Sequence, residues 1–429
     1  MLSKYSVFLI VVLSFQFSSV FAGDSNMNTD ALEFNGFLEA RVGVRITEDV
    51  RQKDASIAEV RLQLDTEQEF NEVILSVVTD FVYDPVLDVY PPDLQSGEGV
   101  VDLRQLNIVM SPVDFMDIKL GRQLLTWGTG DLLFINDLFA KDWNSFLIGR
   151  DVEYLKAPTD AIKVSMFFNV FNVDVVYTPV FGSDRYIDGN RITFFDRMSN
   201  TFRGRDQSLS VDKPDNAFSD DELSLRLYRS FGANEAALYY YHGFWKSPAG
   251  VSPLTGEGLF PVLEVYGASI RGAFAGGIGY AEVGLYESED SAASNPLSRN
   301  SELRLLMGYE RELASEFKGA LQYYVEARQD YDDYVNSLPI GSIVDDKTRQ
   351  VMTLRLTKLM LQQDLNISLF NFYSTTDKDG LSRFIVSYKL SDDLKIESGL
   401  NYFYGKDKYT FYAQFEDSSN IYFSIHHDF

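Results

Sequence analysis

The side chains that most often perform catalysis are scarce in this sequence. Histidine occurs three times, as His242, His426 and His427, and cysteine is absent. Without cysteine the chain has no thiol nucleophile, no disulfide and no thiolate metal site. Catalysis by a histidine needs a nucleophile or a water beside it, and the sequence shows no clear serine or aspartate partner for any of the three. We therefore expect no enzyme activity, and no cofactor is implied.

Carboxylates are the abundant chemical groups, but their spacing does not indicate a metal site. Aspartate and glutamate together number 63 against 38 lysines and arginines, which gives a formal net charge of -25. Nucleic acid is excluded as a partner, because phosphates need a basic surface. Asp377-Lys378-Asp379-Gly380 opens like a calcium loop but does not continue as one, and a tight turn between strands is the better interpretation. Asp330, Asp332 and Asp333 are interpreted as a solvated charge run.

The N-terminus predicts export. Lys4 precedes an apolar stretch from Val7 to Phe17, and Val20-Phe21-Ala22 suits cleavage before Gly23. We therefore interpret residues 1–22 as a cleaved signal peptide and residues 23–429 as a single domain. No second apolar run reaches the length of a transmembrane helix.

Apolar and polar residues alternate in segment after segment, which predicts β-strands. In residues 302–310, for example, Leu303, Leu305 and Met307 share one face, while Glu302 and Arg304 lie on the other. The pattern predicts about eighteen strands, near 33–46, 57–67, 71–83, 100–110, 116–127, 161–169, 172–180, 221–231, 234–246, 261–273, 276–287, 300–312, 316–328, 347–359, 364–375, 380–390, 393–405 and 419–429.

The connections between these strands predict how the sheet is organised. Every second connection is tight, for example Glu67 to Phe70 and Gly232-Ala233, whereas most of the others are long and polar. Short turns on one rim and long loops on the other are typical of an outer-membrane barrel. A β-structure in lipid has to close, because every backbone group must be paired. The predicted fold is therefore an all-β transmembrane antiparallel barrel with short periplasmic turns and long extracellular loops.

The final strand carries a pattern that supports this fold. Phe423, Ile425 and the terminal Phe429 fall on one face of the strand that ends the chain. This arrangement resembles the C-terminal signal by which barrel-assembly machinery recognises outer-membrane proteins. The predicted location is consequently the outer membrane of a Gram-negative cell.

In such a barrel, the charged face of each strand lines the lumen. A barrel of 16 to 18 strands leaves an aqueous channel unless something plugs it. Fixed charges at its narrowest level would determine which ions pass, although cross-strand ion pairs that hold the wall are the favoured role for most of these residues. The candidate lumen and selectivity residues are Arg41, Arg61, Arg104, Arg122, Arg226, Arg304, Arg355, Glu39, Glu59 and Glu302.

Two long connections are candidates for narrowing the channel, because loops of more than thirty residues are usually functional or disordered. Connection 128–160 is interpreted as a constriction loop folded into the lumen, with Asp131, Asp137, Lys141, Asp142 and Trp143 as its candidate residues; residues 131–139 could form a short helix against the wall. An external loop is the alternative. Connection 181–220 carries five arginines that could contact lipopolysaccharide or a substrate, and a solvated loop is an equal interpretation.

Two short stretches resemble a known group of proteins. Leu120-Gly121-Arg122-Gln123 followed by Trp127-Gly128 resembles Gram-negative porin-like proteins of the alginate-export type and related uncharacterised families. Residues 411–423, with the chain ending at Phe429, are similar to the last loop and strand of the same families. The resemblance covers roughly a tenth of the chain with specific residues. It implies a diffusion channel or export pore, with Arg122 as a lumen or constriction arginine.

The sequence therefore predicts a porin that passes polar solutes passively through a water-filled lumen. A non-conducting structural barrel, or the sleeve of a larger assembly, is the main alternative, and an outer-membrane hydrolase is a weaker one. The expected partners are the lipid bilayer, lipopolysaccharide, the barrel-assembly machinery and a polar solute. The sequence leaves a homo-oligomer open.

Overall fold

A computed structural model of the protein describes residues 33–429, so the predicted signal peptide at 1–22 lies outside the described residues. Eighteen antiparallel strands form one sheet, which confirms the predicted fold class. The strands are β1 (Asn35–Arg45), β2 (Ala55–Phe70), β3 (Val73–Tyr83), β4 (Val101–Val113), β5 (Met116–Leu124), β6 (Pro158–Phe167), β7 (Asn172–Thr178), β8 (Glu222–Phe231), β9 (Asn234–Phe244), β10 (Val262–Phe274), β11 (Gly277–Ser288), β12 (Glu302–Ala314), β13 (Phe317–Arg328), β14 (Thr348–Met360), β15 (Leu365–Ser374), β16 (Asp379–Lys389), β17 (Leu394–Gly405) and β18 (Asn420–Asp428).

The sheet closes on itself through its first and last strands. β1 pairs with β18 from Phe37 opposite Asp428 to Arg45 opposite Asn420. Each strand otherwise pairs with its neighbours in the sequence, so each of these eighteen strands has a partner strand on both sides. Closure of the sheet is the solution available to a β-structure in lipid.

Alternation separates an apolar outer face from a polar inner face. In β12, Leu303, Leu305 and Met307 are exposed on the outside, whereas Glu302 and Leu306 are buried inside. The same alternation gives β18 an outer face that includes Ile421, Phe423 and Ile425. Within the described residues, no helix is long and apolar enough to cross a membrane.

The connections differ between the two rims as predicted. Eight turns on one rim have two to four residues each, and the described chain begins and ends at this rim. The predicted turn at Glu67 to Phe70 is wrong, because β2 continues to Phe70 and the turn is Asn71-Glu72. Asn71 has a φ of 57°, a left-handed conformation that asparagine tolerates in two-residue hairpins.

The opposite rim carries nine connections, most of them long. The exception is the tight turn at 375–378. It contains Asp377 and Lys378 of the predicted turn, whereas Asp379 and Gly380 already belong to β16. Two short helices lie in the long connections, α1 (Trp143–Ile148) and α2 (Tyr331–Ser337). The largest apolar cluster lies inside the barrel, where Phe146, Leu147 and Ile148 pack against inward residues such as Phe372 and Phe403.

Candidate functional site

The connection between β5 and β6 follows the inner wall of the barrel. Leu124 and Pro158 are direct partners in the ladder, so the 125–157 segment leaves and returns at neighbouring strands. Between these two residues it contacts inward side chains around the wall, and we call residues 125–157 the ring segment. Its wall contacts are Glu282 on β11, Gln322 on β13, Arg355 on β14, Phe372 on β15, Asn420 on β18, Arg41 on β1, Glu59 on β2, Asp80 on β3 and Arg104 on β4.

Glu282 holds the first part of the ring segment. One of its carboxylate oxygens accepts hydrogen bonds from the backbone N–H groups of Thr129 and Gly130 and, at 2.9 Å, from the Thr129 hydroxyl. The other accepts from the Asn136 backbone at 3.2 Å and from its amide at 2.8 Å. Bonds to a carboxylate are stronger than neutral ones. A single buried side chain of β11 therefore fixes two turns of the ring segment.

The return part is held by charges on β1 and β2. Arg41 donates to the carbonyl of Gly149 at 2.6 Å and lies between Glu39 and Glu397. Arg150 of the ring segment pairs with Glu59 at 2.5 Å, and the same carboxylate group accepts from Arg61 at 2.7 Å. These charges are buried, and buried charges are retained when they are paired and hydrogen-bonded. They join the ring segment to the wall.

The predicted constriction residues lie in this ring segment, but the predicted helix at 131–139 is wrong. The helix begins instead at Trp143, after the end of the predicted one, and Asp142 caps it by accepting from the Ser145 N–H at 2.7 Å. Residues 131–139 form no helix because their donors bind the wall instead: the Asp131 N–H donates to Gln322. Ile135 inserts into an apolar cluster on the wall.

The five candidate residues of the ring segment have different surroundings. Asp131 pairs with Arg355 at 3.1 Å. Burial raises the pKa of Asp131, although Arg355 acts in the opposite direction. Lys141 is turned towards Asp137, with 2.9 Å between the charged atoms. Trp143 donates from its indole nitrogen to Asp184 at 3.0 Å. Asp131 is the most accessible of the three carboxylates in this set.

Nine of the ten predicted lumen residues face inwards and form ion pairs. Only some of these pairs are cross-strand as predicted, because Arg41–Glu39, Arg61–Glu59 and Arg304–Glu302 each join residues of one strand. Arg61 pairs with Glu59 and Asp80, and Arg304 pairs with Glu302 at 2.8 Å. The remaining inward residues are Arg41, Arg104, Arg226, Arg355 and Glu39. Most of these charges are neutralised in pairs, as expected for residues that hold a wall. A role in ion selectivity stays a prediction for this set.

Arg122 is a correction, because it lies on the outer face. Its partners across the ladders are Leu106 and Asp160, whose side chains are 46% and 71% exposed. Arg122 pairs with Asp160 at 3.0 Å and donates to the carbonyls of Leu103 and Leu94. It therefore supports the outside of the wall beside a long loop and does not line the lumen.

Sequence reasoning missed a pair of lysines that faces the lumen. Lys119 on β5 and Lys163 on β6 are direct ladder partners. Lys163 lies opposite the buried Val176 on its other side, which places both lysines on the inner face. Within the described residues neither lysine forms a salt bridge. Like charges placed directly opposite each other destabilise a sheet. Alternation alone could have found them, since 119, 121 and 163 lie on inward positions.

The connection between β7 and β8 lies over the ring segment, and we call residues 179–221 the cover segment. Arg185 bonds Asp102 of the wall at 2.7 Å and reaches Asp142 of the ring segment at 3.4 Å. Arg191 pairs with Asp84 at the end of β3. The other three arginines of this connection, Arg197, Arg203 and Arg205, also pair with carboxylates. These five arginines are therefore engaged within the protein.

The histidines are distributed between the two faces of the barrel. His242 lies outside, 3.2 Å from Glu264, and His426 lies between Glu39 and Asp428. His427 contacts the carbonyl of Asp393. Within the described residues, no histidine has a serine or threonine hydroxyl among its hydrogen-bond partners, and no group of three or more metal-binding side chains gathers.

The residues predicted to form the assembly signal lie together at the end of the chain. Phe423, Ile425 and Phe429 are exposed on the outside, and Phe429 lies at the short-turn rim. The Phe429 backbone also exchanges two hydrogen bonds with Gly36, so the terminal residue extends the β1–β18 seam. Recognition by assembly machinery stays a prediction.

Comparison with known proteins identifies the fold. No family model matches the sequence, and no curated protein matches it. The structure is similar to OccAB1 of Acinetobacter baumannii, with a TM-score of 0.53 and 11% identity over 93% of this chain and 96% of that chain. It is similar to OccK9 (OpdG) of Pseudomonas aeruginosa, with a TM-score of 0.53 and 12% identity over 93% and 98%. OccK11 (OpdR) of the same organism gives a TM-score of 0.52 and 9% identity over 92% and 95%. The resemblance to the alginate-export type is not confirmed. At these identities the likeness establishes that the chain has the closed barrel fold of these proteins.

Proposed function

We propose that this protein is an outer-membrane channel through which polar solutes diffuse passively. The short-turn rim faces the periplasm and the long loops face the exterior. The observation that carries the proposal is the ring segment, a 33-residue connection bonded to the inner wall from β11 to β4. A segment fixed in this way narrows a lumen to a defined bore, whereas a barrel that served only as an anchor has no need of one.

The two faces of the wall support a location in a lipid bilayer. The outer face carries leucine, isoleucine, valine and aromatic residues, and the inner face carries paired charges. Apolar residues facing lipid and polar residues facing water are the arrangement that a membrane barrel requires. Phe423, Ile425 and Phe429 would be read by the barrel-assembly machinery during insertion.

Solute preference is proposed to depend on the charges that the wall does not neutralise. Lys119 and Lys163 lie in the half of the lumen nearer the short turns. Asp131 and Arg355 are a partly exposed pair on the opposite side of the barrel. Fixed charges lining a pore determine which ions enter it. Buried pairs such as Arg61–Glu59 would instead hold the wall.

The cover segment favours a second candidate, a barrel that stays closed until a partner displaces that segment. Arg185 is only 5% exposed and joins the wall to the ring segment. Such a barrel would serve as the sleeve of a larger assembly.

Single-channel recording in a planar bilayer tests the proposal. We expect a steady open conductance, with a reversal potential in a salt gradient that reports the preferred ion. Correctly folded protein that stays electrically silent would contradict diffusion and favour the closed sleeve. If the wild-type protein hydrolysed lipid or peptide and the His242→Ala variant did not, the protein would be an enzyme, which would contradict the proposal.

A further inference from the structure

The wall has a notch at its long-loop rim, between β6 and β7. These strands pair only from Ile162 opposite Tyr177 to Phe167 opposite Asn172. β6 begins at Pro158, so residues 158–161 have no partner on the β7 side. At about 3.3 Å per residue, the notch is about 13 Å deep.

A cavity of about 380 Å³ occupies this notch. Its lining combines residues from both faces of the wall: Asp160 and Ile162 are exposed outside, while Thr159 and Phe181 are buried inside. The cavity therefore reaches the outer surface of the barrel, at the level where the proposed orientation puts the head groups of the outer leaflet.

A lysine of the cover segment lines the cavity. Lys213 donates to the side-chain oxygen of Gln95 at 2.9 Å and lies 5.6 Å from the centre of the Phe181 ring. Within the described residues it forms no salt bridge. Burial lowers the pKa of Lys213 and the neighbouring Lys246 lowers it further, whereas Glu222, Asp93 and Asp215 raise it. Lys246 itself is paired with Glu222. Arg122 also lines the cavity, but Asp160 balances it. Among the charged side chains that line the cavity, Lys213 is therefore the one without a salt-bridge partner in the part of the chain that the structure describes.

The rest of the lining is largely apolar. Pro158, Ile162, Pro179 and Val180 contribute to it, and the two prolines cannot donate backbone hydrogen bonds to a ligand. A free inorganic anion gains nothing from these surfaces, whereas burying hydrocarbon there is favourable. The lining fits a ligand with an anionic head and an apolar body.

We propose that the notch between β6 and β7 binds a phosphorylated outer-leaflet lipid, with its phosphate on Lys213 and its acyl region along Ile162 and Val180. Lysine is an established phosphate ligand, acting as a point charge. Binding would seat the lipid where the wall is shortest and would cover the unpaired edge of β6. The inference rests on the outer-membrane location proposed above but not on conduction.

Native mass spectrometry of the purified full-length protein with bisphosphorylated lipid A tests the inference. We expect one lipid A per chain, retained when inorganic phosphate is added in excess. Lys213→Glu should weaken binding by about tenfold or more, because a lost charge-assisted contact is worth about 1.4 kcal/mol or more per site. Lys378→Gln, which changes an exposed lysine in the turn at 375–378, should bind as the wild type does.

Ile162→Ser separates the apolar part of the site from the charged part. This variant should weaken lipid A binding while leaving single-channel conductance unchanged, which also shows that the barrel is folded. Equal lipid A binding by the Lys213→Glu and Lys378→Gln variants would overturn the inference. So would complete displacement of lipid A by inorganic phosphate, because that result would identify a phosphate site without a lipid. If the wild-type protein gave no conductance in the bilayer but still bound lipid A, the proposed channel function would be contradicted and the lipid site would not.

Discussion

Glu282 shows how one residue can set the position of a long loop. Its carboxylate accepts from two residues at the start of the ring segment and from a third six positions later. Because Glu282 is buried, water cannot replace these bonds when the carboxylate is lost. Glu282 is therefore a positioning residue for the ring segment.

Glu282→Gln should lower the free energy of unfolding by about 2–4 kcal/mol, because its amide group turns a donor towards N–H groups that need an acceptor. The measurement is urea unfolding in lipid vesicles. Glu264→Gln is the matched control, since this glutamate lies on the outer face, and its change should stay within about 0.5 kcal/mol. Equal losses in the two variants would contradict the role of Glu282.

The lysine pair provides a residue-scale test of selectivity. Replacing Lys119 and Lys163 together by glutamine removes two unneutralised cations from the inner wall. The reversal potential in a salt gradient should therefore move towards cation preference. Barrel stability should hold or rise, because the like-charge contact disappears.

Lys358→Gln is the control for that pair, since Lys358 lies outside near the short turns and donates to the carbonyl of Ser315. It should leave the reversal potential unchanged. A double variant with wild-type selectivity would show that solutes do not pass close to Lys119 and Lys163.

At the scale of elements, the strands could be predicted from the sequence but the path of the ring segment could not. The alternation of residue types in β12 predicts directly which of its side chains are buried, because each side chain lies on either the outer or the inner face. The ring segment instead depends on partners far away in the sequence, such as Glu282 for Thr129, and no local pattern encodes such partners.

The error at Arg122 came from the resemblance and not from the alternation. β5 pairs with β6 in unbroken register from Met116 to Leu124, and Lys119 and Gly121 lie on its inner face. Alternation along the strand therefore places Arg122 on the outer face. A resemblance of short stretches carries no information about which face a side chain occupies.

The contact between the cover and ring segments gives a prediction at this scale. Arg185→Met should destabilise the barrel by about 3–5 kcal/mol, because it removes the salt-bridge partner of the buried Asp142 and leaves the buried Asp102 with only the longer contact to Arg104 at 3.7 Å. Adding Asp102→Asn should recover part of the loss. Unfolding of both variants in urea gives the comparison. If the double variant were as unstable as the single one, or more so, the Arg185–Asp102 pair would not be the source of the loss.

At the scale of the whole molecule, the barrel separates two tasks. The closed wall of eighteen strands forms the continuous ladder, and the connections on one rim form the ring segment and the cover segment. This division means that the ring segment can be removed without breaking the ladder, because Leu124 and Pro158 are already neighbours.

The most direct test of the account is the conductance of a barrel whose ring segment has been replaced. Residues 125–157 would be exchanged for Asn-Gly, a pair that forms two-residue hairpins between neighbouring strands. The account predicts a folded barrel with a larger single-channel conductance and weaker ion preference than the wild type. An unchanged conductance in the shortened barrel would contradict the account, because the narrowest part of the pathway would then lie elsewhere.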